Sequence, residues 1–174
     1  MESENHGEPG FVLASRDAQV DWVFEILFGK GALDRDDAVG QALDALVLLG
    51  LADEEDEAKK AKARVAVERS IDNGLRAGRF DRPKRGQIRA IRTDAKDYSS
   101  EDWTLCLVNA LDCEPTDRDA ALRFAAYWAA SNTGLSFARL QRGGSILTGL
   151  DAALESALRR GRFLDAGGGC VRKV

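Results

Sequence analysis

Histidine is all but missing from this chain of 174 residues: His6 is the only one, and it lies in an acidic stretch at the N-terminus. A histidine general base, proton shuttle or imidazole metal site therefore has nothing to be built from. Cysteine is nearly as scarce. Cys106, Cys113 and Cys170 are odd in number and lack the spacing of a metal knuckle or a redox pair, so free reduced thiols are expected. No apolar run approaches the length of a membrane span. The first ten residues carry no apolar segment that would read as a signal peptide or anchor, and the expected location is the cytoplasm, with no membrane partner.

Other chemistry is equally short of material. Gly29-Lys30-Gly31 lacks the upstream glycine and the following Ser or Thr of a phosphate loop and reads as a helix-ending turn. Gly167-Gly168-Gly169 reads as a hairpin turn rather than a ligand cradle. The acidic clusters Asp34/Asp36/Asp37 and Asp53–Glu57 fit helix starts, where the macrodipole favours negative charge, better than a Mg²⁺ site. No nucleophile–base pair stands out. The expectation is a non-enzymatic protein with no cofactor, metal or small-molecule substrate.

What the chain does contain is a repeat. Shifted by 83 residues, Leu75-Arg76-Ala77-Gly78-Arg79-Phe80 lies over Leu158-Arg159-Arg160-Gly161-Arg162-Phe163, and Asp34-Arg35-Asp36 lies over Asp117-Arg118-Asp119. Gly86 falls on Gly169 and Arg89 on Arg172. A tandem duplication of one module of about 80 residues accounts for this. The expected organisation is a disordered tail over 1–14, module 1 over 15–92, a linker over 93–99 and module 2 over 100–174.

Charge is distributed unevenly within the repeat. The net charge is −4, yet Arg16 to Glu57 holds three basic and twelve acidic residues, whereas Lys60 to Arg92 holds eleven basic and three acidic. In the second copy, Arg139 to Lys173 holds seven basic and three acidic residues, so the polarity persists at half strength. A local basic stripe bears on contact with nucleic acid even when overall charge does not.

Apolar spacing supplies the elements. Val20, Val23, Phe24, Leu27 and Phe28 predict a first helix over 16–28. Asp34 reads as the cap of a second, with Val39, Leu43, Leu46 and Val47 inward and Gly50 at its end. A third should run from Glu54 to Ala77, with Val67, Ile71 and Leu75 inward, Val65 beside them and Gly78 closing it. Arg79-Phe80 and Gln87–Arg92 then form a hairpin around Arg82-Pro83-Lys84-Arg85-Gly86. In the second copy, Ser99 or Ser100 starts a helix containing Trp103, Cys106 and Leu107, and Asp117 caps the next. Asn132 to Gly144 forms a loop anchored by Leu135 and Phe137, and Ile146, Leu150, Leu154 and Leu158 give the last buried face. A helix running into a positively charged hairpin is the core of a winged helix. The expected fold class is mainly α with small β-hairpins (α+β), as tandem winged-helix repeats.

Module 2 also carries Asn132-Thr-Gly-Leu-Ser136, Arg142-Gly-Gly-Ser-Ile146 and Ala152-Ala-Leu-Glu-Ser-Ala-Leu-Arg-Arg-Gly-Arg-Phe163. This order resembles the small winged-helix domain of unknown function at the C-terminal end of bacterial superfamily-1 helicase-like DNA-repair proteins. The resemblance covers about residues 117–165 and, more faintly, 34–80. It departs from that family in having no helicase or nuclease portion and no Gly-Ser helix start in the first copy, so what it implies concerns the fold.

On the third helix of module 1, Lys62, Ala66, Arg69, Asn73 and Arg76 follow 4-3-4-3 spacing, a face separate from the apolar one. In a DNA-binding winged helix such a face enters the major groove, where Arg addresses guanine and Asn adenine. Arg79, Arg82, Lys84, Arg85 and Arg89 on the wing would meet phosphates. The expected function is therefore duplex-DNA binding by module 1; simple solvation of a polar face is the bland reading of the same residues, and contact with an acidic protein partner is a third. The equivalent stripe of module 2, Ser145, Gly149, Ala152, Ser156 and Arg159, is small and nearly uncharged, which suits module packing, a homodimer or a protein partner. The alternative is an acidic adaptor that binds a protein, built like the tandem winged-helix (kite) subunits of SMC-type or DNA-repair complexes.

Overall fold

A computed structural model describes residues 10–53, 55–136 and 144–174. The chain divides into two compact units, Met1–Ala90 and Ile91–Val174. Among the described residues it is mainly helical, with two small antiparallel sheets of three strands each.

Unit 1 opens with a 3₁₀ turn, Phe11–Leu13, followed by α1 (Arg16–Leu27), β1 (Leu33–Asp34), α2 (Arg35–Leu48), α3 (Glu57–Arg76), β2 (Phe80–Asp81) and β3 (Gln87–Ala90). Local chemistry sets these borders. Ser15 accepts from Ala18 N at the start of α1, and Asp56 accepts from Ala58 N and Lys59 N at the start of α3. Gly78, at φ 71°, turns the chain out of α3 into β2. The sheet order is β1-β3-β2, with Leu33 opposite Ile88 and Phe80 opposite Ala90. Val23, Phe24, Leu46, Val67, Ile71, Phe80 and Ile88 meet in the core, where Phe24 and Phe80 pack edge to face at 5.9 Å.

Unit 2 contains a 3₁₀ turn, Ala95–Asp97, then α4 (Ser100–Ala110), β4 (Thr116–Asp117), α5 (Arg118–Thr133), α6 (Gly144–Arg159), β5 (Phe163–Gly167) and β6 (Cys170–Lys173). Ser99 and Asp102 form a capping box at α4, and Asp117 accepts from Ala120 N at α5. The sheet order is β4-β6-β5. Several element borders in the two units fall 83 residues apart: Leu33 and Thr116 open β1 and β4, Arg76 and Arg159 end α3 and α6, and Gln87 and Cys170 open β3 and β6. Burial follows the same offset, with Val67 and Leu150, Ile71 and Leu154, and Phe80 and Phe163 all in their units' cores.

Several expectations are corrected. Of the expected tail, residues 1–9 lie outside the described residues, but Phe11 is fully buried, rests against Trp22 and donates its N–H to Leu51 O at 2.9 Å. The expected linker belongs to unit 2: Tyr98 is buried, stacks on Trp103 at 4.3 Å and hydrogen-bonds Thr133 and the carbonyl of Arg92. The third helix starts at Glu57 rather than at Glu54, a residue outside those described. Asn132 and Thr133 form the last turn of α5 instead of starting a loop, Leu135 is buried, and residues 137–143, with Phe137, Arg139 and Arg142, lie outside the described residues. The short strands β1 and β4 were not foreseen; two residues each, they give no period to read.

Candidate nucleic-acid interface

On α3 the buried face is Ala63, Ala66, Val67, Ser70, Ile71 and Gly74. Ala66 thus sits at the edge of the core and not on the outer stripe, Val65 is exposed, and Leu75 is only half-buried. Outside that face, Lys62, Arg69 and Arg76 are exposed and Asn73 is half-buried. A spacing of seven residues drifts by only about 20° per step, so the three cations form a nearly straight row rising about 10 Å each time. Arg64, on the same helix, is bound to Glu68 at 3.1 Å and approaches Asp36 at 3.6 Å.

The β2–β3 turn presents Arg82, Lys84 and Arg85, all exposed. Gly86, at φ 81°, takes a backbone conformation suited to glycine, and its carbonyl accepts from Arg35 N at 2.9 Å, fastening the turn to the start of α2. The row and the turn meet where Arg76 and Arg82 border one shallow hollow with Asp72 and Leu75. Asp72 is compensated there by Arg35 at 2.9 Å. Lys62, Arg69, Arg76, Arg82, Lys84 and Arg85 make no ion pair among the described residues.

Two of the cations expected on the hairpin to meet phosphates are used differently. Arg79 pairs with Asp21 of α1 and lies over the Phe24 ring, 4.4 Å from its centroid. Arg89 is held by Asp81 across the hairpin, Nε to Oδ1 at 3.0 Å and a second nitrogen to Oδ2 at 2.5 Å. These bidentate and cation–π contacts anchor the hairpin to its own unit, which removes both arginines from the outward-facing set.

A matched latch went unforeseen. Arg35 and Arg118, the first residues of α2 and α5, reach the following long helix: Arg35 to Asp72, and Arg118 to Asp151 at 2.7 Å and Glu155 at 2.6 Å. The two carboxylates hold the Arg118 guanidinium above its ordinary value. The signal was present in the overlay of Asp34-Arg35-Asp36 on Asp117-Arg118-Asp119, which reads as helix capping alone. Capping itself differs: Asp117 makes the side-chain bond, while Asp34 occupies the cap position without one.

In unit 2 the positions equivalent to Arg82, Lys84 and Arg85 are Asp165, Gly167 and Gly168, and Asp165 accepts from Gly167 N at 2.8 Å. Gly149, expected on an outer stripe, faces the Trp103 indole so closely that a Cβ would lie 2.6 Å from its nitrogen. Ser145, Ala152 and Arg159 are exposed and Ser156 half-buried. Among the described residues no group of three or more His, Cys, Asp or Glu is placed to hold a metal ion, and no helix is long and apolar enough to cross a membrane. No protein-family model, curated protein or solved structure matches the chain.

Proposed function

We propose that the chain is a tandem winged-helix protein and that unit 1 holds duplex DNA, with α3 in the major groove and the β2–β3 turn as the wing. The observation that carries this reading is the convergence of two cationic sets, Lys62, Arg69 and Arg76 on α3 and Arg82, Lys84 and Arg85 on the turn, with no carboxylate neutralising them among the described residues. Element order, sheet order and the 83-residue offset support the winged-helix and duplication parts of it. Asn73, half-buried between Arg69 and Arg76, is the side chain suited to an adenine edge, and the arginines suit guanine edges or phosphates. Unit 2, whose turn carries no cation, serves protein contact, to a second copy or to a partner.

A gel shift of the purified protein with random duplex, run across a salt series, tests it. Binding is expected at low salt and is expected to fall steeply toward physiological salt as counterion release is lost. Reversing the charges at Arg69, Arg76 and Lys84 together should abolish it, and retained binding in that variant overturns the reading. The adaptor reading draws support from Arg79 and Arg89 being occupied within the chain and from the overall charge of −4. A stoichiometric co-purifying partner together with no shift at low salt decides for it.

A further inference from the structure

Five large apolar side chains of unit 1 are exposed among the described residues: Val12 (41%), Leu13 (82%), Leu48 (88%), Leu49 (63%) and Val65 (50%). Three of them, Val12, Leu13 and Val65, border a pair of adjoining hollows. Val12 and Leu13 line a hollow of about 640 Å³ together with Leu51 and Lys62, and Leu48–Leu49 immediately precede Gly50, which lines it too. Val12 and Lys62 also border a second hollow of about 400 Å³ that continues past Val65 to Arg69. The two hollows therefore form one elongated apolar track along the outer side of α3.

The track is ordered. Gln19 donates its side-chain amide to the carbonyls of Phe11 at 2.9 Å and of Val12 and Ala14 at 3.3 Å, while Phe11 N–H donates to Leu51 O. Its charge has one uncommitted sign. Asp53 is paired with Lys59 at 2.8 Å and accepts backbone N–H groups from Glu55 and Asp56, whereas Lys62 and Arg69 pair with no carboxylate among the described residues. A concave apolar track flanked by cations complements a ridge of apolar side chains flanked by acids. A flat lipid surface would fit the two hollows poorly.

We propose that this face docks an acidic amphipathic helix of a protein partner, its apolar ridge on Val12, Leu13 and Val65 and its carboxylates on Lys62 and Arg69. Unit 2 has Ser145, Thr148 and Ala152 at the positions of Lys62, Val65 and Arg69 and therefore lacks the surface. Because Lys62 and Arg69 also belong to the proposed DNA-contacting row, helix and duplex exclude one another; this last step alone rests on the DNA reading.

The probe is a fluorescent peptide of about 15 residues, leucines at i, i+3, i+4 and i+7 and glutamates between, titrated by anisotropy into the full chain without DNA. Saturable binding is expected, weakened at least about tenfold in Leu13→Asp/Val65→Asp and in Lys62→Glu/Arg69→Glu. Phe124→Asp, at an exposed position in unit 2, should leave it unchanged. A peptide of identical composition with its leucines scattered should also bind at least about tenfold more weakly. Equal binding of the two peptides, or recruitment to phosphatidylserine–phosphatidylcholine vesicles without peptide binding, overturns the proposal. Far-ultraviolet circular dichroism of each variant separates lost docking from lost folding, and the milder Val65→Ser should still weaken binding in a folded protein. Peptide binding that leaves a DNA complex undisturbed removes only the competition; a protein that binds the peptide but no duplex at any salt removes only the DNA reading.

Discussion

Two glycines in the long helices exist to admit rings. A Cβ on Gly74 would lie 2.2 Å from the Phe80 ring, and one on Gly149 would lie 2.6 Å from the Trp103 indole. Both rings are buried, so neither can swing aside without opening its core. Alanine is the better helix former by about 1 kcal/mol, yet the overlap should outweigh it. Gly74→Ala and Gly149→Ala are each expected to destabilise by about 1–3 kcal/mol, read as a lower urea midpoint. This closeness could not be read from sequence: Gly149 and Trp103 are far apart in the chain, and helical spacing alone places the glycine on an outer stripe. At Cys106, burial and then the nearby Asp102 carboxylate push the thiol up to about 12 from 9.0. Burial pushes the Tyr98 phenol up as well. Both groups are held neutral in the fold, so above pH 9 the unfolded chain loses protons that the folded chain keeps. The Cys106 contribution is full below about pH 9 and the Tyr98 contribution below about pH 10; above those points each falls as pH rises, by about 1.4 kcal/mol per unit. Urea midpoints measured across this window should fall less steeply in Cys106→Ala than in the parent after its constant cavity cost is subtracted.

Helices were legible because their ends are chemically local. Ser99 and Asp117 cap where their side chains predict, and the glycines after α3 and α6, 83 residues apart, close both helices. The hairpins were legible from the same turn residues. Long-range electrostatics was not. Arg79 is 58 residues from Asp21, and no pattern in either segment announces the pair; the sequence showed Arg79 only as one more wing cation. The cation-rich elements therefore divide by job: Arg79 and Arg89 fasten the hairpin, while Arg82, Lys84 and Arg85 at its turn face outward. Replacing Arg79 by alanine should lower the stability of unit 1 by about 1 kcal/mol, the combined scale of a half-exposed ion pair and a cation–π contact. Its DNA affinity in a low-salt gel shift should change less than that of Arg76→Ala. The opposite order would assign Arg79 to the duplex and leave its carboxylate partner incidental.

For the molecule as a whole, the distribution of charge matters more than its sum. A net charge of −4 would be expected to repel a polyanion, but twelve of the acidic residues lie in the stretch from Arg16 to Glu57, ahead of the cationic helix and turn. Several of those acids are engaged locally, Asp36 with Arg64 and Asp53 and Asp56 with Lys59, so their reach is shortened further by screening. Counting the cations that can meet phosphate then becomes a measurement. The eight cations expected from sequence reduce to six once Arg79 and Arg89 are assigned to Asp21 and Asp81. Counterion release makes the slope of log affinity against log salt about −0.9 per phosphate neutralised, so six contacts give no more than about −5, whereas eight would approach about −7. A titration of random duplex across the salt series should give the shallower value. Lys84→Ala should make it shallower by about one. A slope near the steeper limit would mean that Asp21 and Asp81 release their arginines when the duplex arrives, so that binding draws on the same contacts that hold the hairpin in place.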